Sequence, residues 1–236
     1  MSTYLLQHGA FHGGWCWREV ASRLRSNNHE VFTPTLTGLG DRAHLLSPST
    51  TLDTHIEDIC RVIDSVQSCD LVVVAHSYAG LPVTGAADRR SDRISALVYI
   101  DAPVPEDGDT GESVRGPDAI GSLRHVSDGL TVPSPPASYF GLSGDSETWA
   151  NEQTTPHPLR TLTQPIRLSG EWLRIPRKTF VRARSFKAPY LDHYLERAKS
   201  DPKWRTVECD EVHDMMITSP DHLAELLMTD EVRGQL

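Results

Sequence analysis

The chain has 236 residues, 38% of them hydrophobic and 23% charged, with a formal net charge of −9. This balance fits a globular domain and argues against nucleic acid as a partner, because phosphate binding draws on clustered cations. Cys16, Cys60, Cys69 and Cys209 lack metal-ligand spacing and are too few for a disulfide framework in a chain this long, so a reducing cytoplasm is the expected compartment. No apolar run is long enough to span a membrane, and Met1-Ser2-Thr3 leads into a strand and not a signal peptide, so no membrane partner is expected.

Thr3–Gln7 reads as a short buried strand, followed by the glycine-rich loop His8-Gly9-Ala10-Phe11-His12-Gly13-Gly14-Trp15. A helix from about Cys16 to Ser26 puts Trp17, Val20, Ala21 and Leu24 on one face. Glu30–Pro34 is the second strand, and Thr51–Gln67 is an amphipathic helix with Ile56, Ile59, Val62, Ile63 and Val66 inward. Leu71–Val74 is a continuous apolar run, Leu81–Ala87 a small-residue helix, and Ile94–Ile100 a strand ending at Asp101. Strands alternating with helices predict a parallel sheet covered on both faces.

From Ala102 to about Pro165 prolines and glycines cluster and periodicity fades. A structureless loop of that length is disfavoured inside a compact domain. Residues 104–165 are therefore expected to form a small helical cap, with helices at Asp118–Asp128 and Ser146–Thr154, inserted between core segments 1–103 and 166–236. The sheet pattern resumes at Lys178–Ala183, and a helix at Tyr190–Ser200, a strand at Arg205–Glu208 and a helix at Pro220–Met228 complete it.

Between the Leu71–Val74 strand and its following helix lies Ala75-His76-Ser77-Tyr78-Ala79. A serine there, with small residues two before and two after, is a relaxed form of the G-x-S-x-G nucleophile elbow. The turn is too tight for large flanking side chains, and it exposes the serine at a helix N-terminus. A serine nucleophile needs a base and an oxyanion site. His213, in the loop between the final strand and final helix, is the candidate base, since the histidine comes last in such chains. The N–H groups of Ala10 and Tyr78 are the candidate oxyanion hole, with Gly9 leaving room for substrate to approach. Phe11 and His12 are candidate pocket wall, His8 holds the loop by hydrogen bonds, and His222 is a surface residue.

The segments His8–Trp15, Ala75–Gly80, Leu97–Pro105 and His213–Met216, taken together, resemble the α/β-hydrolase superfamily. They are most similar to its branch of small esterases that includes salicylate-binding methylesterases and hydroxynitrile lyases. The resemblance implies an α/β-hydrolase fold, a mostly parallel six-stranded sheet flanked by helices with a small helical cap, and no metal or organic cofactor. Departures matter. Val212 stands where a glycine usually precedes the histidine, Asp214 where the lyases carry a lysine, and Gly9 where they carry a threonine. The last two favour ester hydrolysis.

The acid usually found after the penultimate strand is absent from Arg184-Ser185-Phe186-Lys187, and the next carboxylate, Asp192, lies on the following helix. Asp101 ends the strand that follows the elbow unit, and strands adjacent in sequence usually lie side by side. Some haloalkane dehalogenases on this fold take their acid from that strand end, so Asp101 is the expected acid and Asp192 its rival. The expected activity is hydrolysis of a small to medium apolar carboxylic ester or lactone through an acyl-serine, by a monomer or homodimer, with Phe140 and Trp149 as substrate-selecting cap residues. The alternatives are a hydroxynitrile lyase, a cofactor-free dioxygenase, or a small-molecule receptor with little turnover.

Overall fold

A computed structural model describes residues 1–119 and 121–229. The elements run β1 (Thr3–Gln7), α1 (Arg18–Ser26), β2 (Glu30–Phe32), α2 (Leu52–Ser65), β3 (Leu71–His76), α3 (Gly80–Arg89) and β4 (Ala96–Ile100). After a long insertion come β7 (Arg177–Ala183), α7 (Pro189–Ser200), β8 (Trp204–Cys209), α8 (Met215–Thr218) and α9 (Pro220–Met228). Six strands form one sheet in the order β2-β1-β3-β4-β7-β8, and every neighbouring pair in it is parallel.

The apolar strands explain this architecture. Successive side chains alternate between two cores: Leu5, Val73, Leu97 and Phe180 pack with α2 and α3, whereas Tyr4, Val72, Val74 and Val98 pack with α1 and α9. The central strands β3 and β4 are buried on both faces and so read as nearly unbroken apolar runs, whereas the edge strands β2 and β8 are partly exposed. The capping box of Thr51 and Thr54 starts α2. No helix among the described residues is long and apolar enough to cross a membrane.

The insertion holds α4 (Ser122–Val126), β5 (Thr131–Val132), α5 (Gly144–Gln153), β6 (His157–Pro158) and α6 (Leu159–Thr163). Here the expectation from sequence needs correction. The helix expected over Asp118–Asp128 is broken: Pro117–Ala119 is a single 3-10 turn, and Gly121 at φ 81 starts the five-residue α4 afresh. A left-handed residue cannot continue a right-handed helix. Ile120, inside that expected helix, lies outside the described residues. The two-residue β5 and β6 pair antiparallel, Thr131 with Pro158 and Val132 with His157, a pairing too short to leave a period-two pattern. The helix expected at Ser146–Thr154 corresponds to α5, displaced by about a residue or two.

Candidate active site

Ser77 directly follows β3 and has φ 53, a left-handed conformation that costs a non-glycine residue about 1–3 kcal/mol. Tight packing holds it there. A Cβ on Gly80 would lie 2.0 Å from the Pro103 carbonyl oxygen, and one on Gly9 would lie 2.9 Å from Ser77 Cβ. The chain after β4 thus packs against the start of α3, and the loop after β1 packs against Ser77 itself. Ala75 and Ala79, the outer positions of the elbow, are fully buried.

β4 lies between β3 and β7, and Asp101 follows it at φ 42. The fully buried Asp101 carboxylate accepts a hydrogen bond from His213 Nδ1 at 3.1 Å, across 112 residues of sequence. Its other oxygen accepts from Arg182 Nη1 at 3.0 Å and from the Ala183 N–H at 2.9 Å. Because Nδ1 donates to Asp101, the neutral imidazole keeps its lone pair on Nε2, as a general base requires. Asp192 instead accepts from Arg182 and Arg184, both at 2.9 Å, and is 46% exposed. The His213 ring is walled by Phe140, stacked at 5.9 Å between centroids, and Phe186, tilted at 4.3 Å.

Ser77 and His213 line one cavity of about 410 Å³, together with Ala10, Phe11, Tyr78 and Phe140. Among the described residues that line it, Arg115 is the one with a formal charge. Residues of the insertion, among them Val114, Leu123 and Val132, form much of its wall. The Ala10 N–H bonds to no other described residue. The Tyr78 hydroxyl is held by a 2.9 Å bond to His55 Nδ1, while His55 Nε2 donates to the Thr37 carbonyl at 2.8 Å. His8 holds the loop, donating from Nδ1 to the Gly9 carbonyl at 2.8 Å and accepting the Leu36 N–H at 3.1 Å. Burial lowers its pKa to about 3, so it is neutral.

Gly9 abuts the serine turn but does not line the cavity. The structure sets two expected pocket residues elsewhere. Trp149 packs edge-on against Trp15 at 5.1 Å, outside the cavity, because α5 turns that side chain toward the segment that leads into α1. His12 is buried and also absent from the cavity wall, because it is drawn to a buried carboxylate. Its Nδ1 donates to the Ala10 carbonyl at 2.7 Å and its Nε2 to Asp214 at 2.9 Å. Both partners are acceptors, so His12 is an imidazolium. Burial, the largest influence, opposes charge on both groups, yet their mutual attraction and hydrogen bonds prevail: the His12 pKa is raised and that of Asp214 lowered.

His76, His213 and Asp214 offer ligand atoms within 4.8 Å of one another. However, His76 Nε2 donates to the His213 carbonyl at 3.0 Å, which leaves that nitrogen no lone pair for an ion. Burial holds the His76 pKa well below the ordinary value. His222 pairs with Glu211 at the surface. Sequence reasoning overlooked Arg182 and Phe186. The first had a signal, a charge inside the apolar strand Thr179–Ala183; the second lay in a loop dismissed for lacking a carboxylate.

A family model described as the alpha/beta hydrolase family matches residues 4–226. The chain belongs to that family. This alpha/beta hydrolase is 35% identical over 241 residues to the carbendazim hydrolyzing esterase of Nocardioides sp. (strain SG-4G), an alignment covering 96% of this chain and 98% of the relative. It is 36% identical over 107 residues to Methylesterase 9 of Arabidopsis thaliana, covering 45% of this chain and 42% of that protein. Among solved structures, an extracellular alpha/beta-hydrolase from a Paenibacillus species superposes with a TM-score of 0.86 at 23% identity, covering all of both chains. A methylesterase from Arabidopsis superposes with a TM-score of 0.77 at 20% identity, covering 97% of this chain and 98% of that one. These two likenesses concern the fold of the hydrolase.

Proposed function

We propose that this alpha/beta hydrolase is a serine carboxylesterase acting on a small to medium, mostly apolar ester or lactone. The observation that carries the reading is His213, which meets Asp101 at 3.1 Å while lining the same cavity as Ser77. Ser77 Oγ attacks the carbonyl carbon as His213 Nε2 takes its proton. The oxyanion receives the N–H groups of Ala10 and Tyr78, and the leaving alkoxide takes the proton back from His213. Water, deprotonated by the same nitrogen, then attacks the acyl-serine, and the acid leaves as Ser77 Oγ takes that proton back from His213. Asp101 holds the imidazole in the Nδ1–H tautomer throughout.

The esterase names of the relatives that match in sequence support the ester class. The apolar lining, with Phe11 and Phe140, supports an apolar substrate, and residues 104–165 act as the cap that selects it. The four cysteines are free thiols, in keeping with a reducing compartment. The test is Ser77→Ala, which should lower ester turnover by about three or more orders of magnitude while ligand binding persists. A fluorophosphonate should label the wild type at Ser77 alone. Labelling elsewhere, or an active alanine variant, sinks the serine mechanism.

A further inference from the structure

β7 carries a cation where its neighbours are apolar. Arg182 is 2% exposed, and all five of its N–H groups are engaged. Nε donates to Asp192 at 2.9 Å, and Nη1 donates to Asp101 at 3.0 Å and to the Ala183 carbonyl at 2.6 Å. Nη2 donates to the carbonyls of Phe186 at 2.9 Å and Ala188 at 3.5 Å. A guanidinium presents five donors in one rigid plane, and no other side chain can make this set. One residue thereby joins the carboxylate behind His213 to the loop that brings Phe186 against the His213 ring.

The charges also alternate from surface to base: Asp192, Arg182, Asp101, then His213. A carboxylate beside an imidazole favours its protonated form, and a cation bonded to that carboxylate offsets part of the effect. We propose that Arg182 is a positioning residue of this site, aiming Asp101 and Phe186 at His213 and, with Asp192 behind it, moderating how tightly Asp101 holds the proton on His213. This rests on the Ser77–His213–Asp101 reading given above.

The other groups facing these residues stay constant between variants. Asp214 and His76 face His213, and the His12 imidazolium balances Asp214. Tyr190 and Cys209 face Asp101, and burial pushes them up to about 12 and about 11, so both are neutral near pH 7. Arg184 shares Asp192 and also meets Glu208.

The experiment measures the pH dependence of fluorophosphonate inactivation and of kcat/KM for p-nitrophenyl butyrate. Arg182→Gln removes the cation and should move the acid limb to higher pH by about one unit. Asp192→Asn removes the outer anion and should move it to lower pH by a few tenths of a unit, since Asp192 is 46% exposed and screened. Arg182→Lys keeps the charge and loses the fork, so kcat should fall by at least about tenfold with KM and the limb little changed. Loosened packing does not produce shifts of opposite sign. A limb unmoved or moved the other way in Asp192→Asn overturns the proposal, even where the buried Arg182 variants fail to fold. Absence of Ser77 labelling in the wild type defeats the esterase reading instead. Labelling with unmoved limbs defeats the positioning role alone.

Discussion

Phe186 holds its ring 4.3 Å from that of His213, inclined by 32°, so the imidazole works against an aromatic wall and not against open water. Phe140 stacks on the same ring, and both phenylalanines line the cavity, whereas Trp149 does not. Phe140→Ala and Phe186→Ala should shift preference toward bulkier acyl groups, and Trp149→Ala should leave it unchanged. A panel of p-nitrophenyl esters of increasing acyl length measures this. A selectivity change in the tryptophan variant alone would place the acyl site on the opposite side of α5.

Asp101→Asn should lower kcat by at least about a hundredfold with KM little changed, because the neutral amide no longer stabilises the imidazolium or enforces its tautomer. Asp192→Asn should cost little in kcat at its optimum. Steady-state kinetics on the two purified variants compares them. The reverse ranking moves the acid to Asp192, and two mild variants mean that Ser77 and His213 act as a dyad.

Gly80→Ala should be destabilising by about 1–3 kcal/mol, since its Cβ would fall 2.0 Å from a backbone oxygen of Pro103 that no side-chain rotation can move. Urea denaturation reads this directly. A variant as stable as the wild type would mean that the chain after β4 yields more readily than its burial implies.

The buried pair of His12 and Asp214 makes stability depend on pH in a signed way. Asp214 has a folded pKa below its unfolded value, so its contribution is present above the ordinary carboxylate range and is lost as pH falls through the depressed value. His12 has a raised folded pKa, so its contribution is full below about 6.5 and is lost as pH rises through the raised value. The pair therefore stabilises most between about pH 4 and 6.5. Asp214→Ala, which strands the imidazolium, should cost about 3–5 kcal/mol there. Thermal unfolding across pH 4–9 should show a wild-type decline on the alkaline side that is blunted in the variant.

Legibility in the sequence followed the range of the interaction. Strands such as β3 declare themselves because burial on both faces demands an apolar run, here over residues 71–75. The candidate Ser77 stands out in the sequence because its turn constrains its immediate neighbours, and the candidate Asp101 because a strand end on β4 must emerge beside the end of β3. The alpha/beta sheet followed from the alternation alone. His12 was assigned to a pocket wall because its partner, Asp214, lies 202 residues away and nothing local signals a carboxylate inside the protein. Trp149 misled because α5 has apolar residues too sparse to show which face turns inward. In the insertion, two-residue strands and five-residue helices are shorter than one period of the patterns used to find them.

Each buried anion close to the candidate base has a cation bonded to it: Arg182, which Asp101 shares with the outer Asp192, and His12 for Asp214. Counted together the four cancel, so the imidazole resides in an internally neutral layer within a molecule whose total is −9. Mobile ions cannot enter that layer, and charges on the surface beyond Asp192 are screened over about 8 Å at physiological ionic strength. Turnover of an uncharged ester should thus be nearly indifferent to salt, and the outer face can change its charge over evolutionary time without retuning the chemistry within.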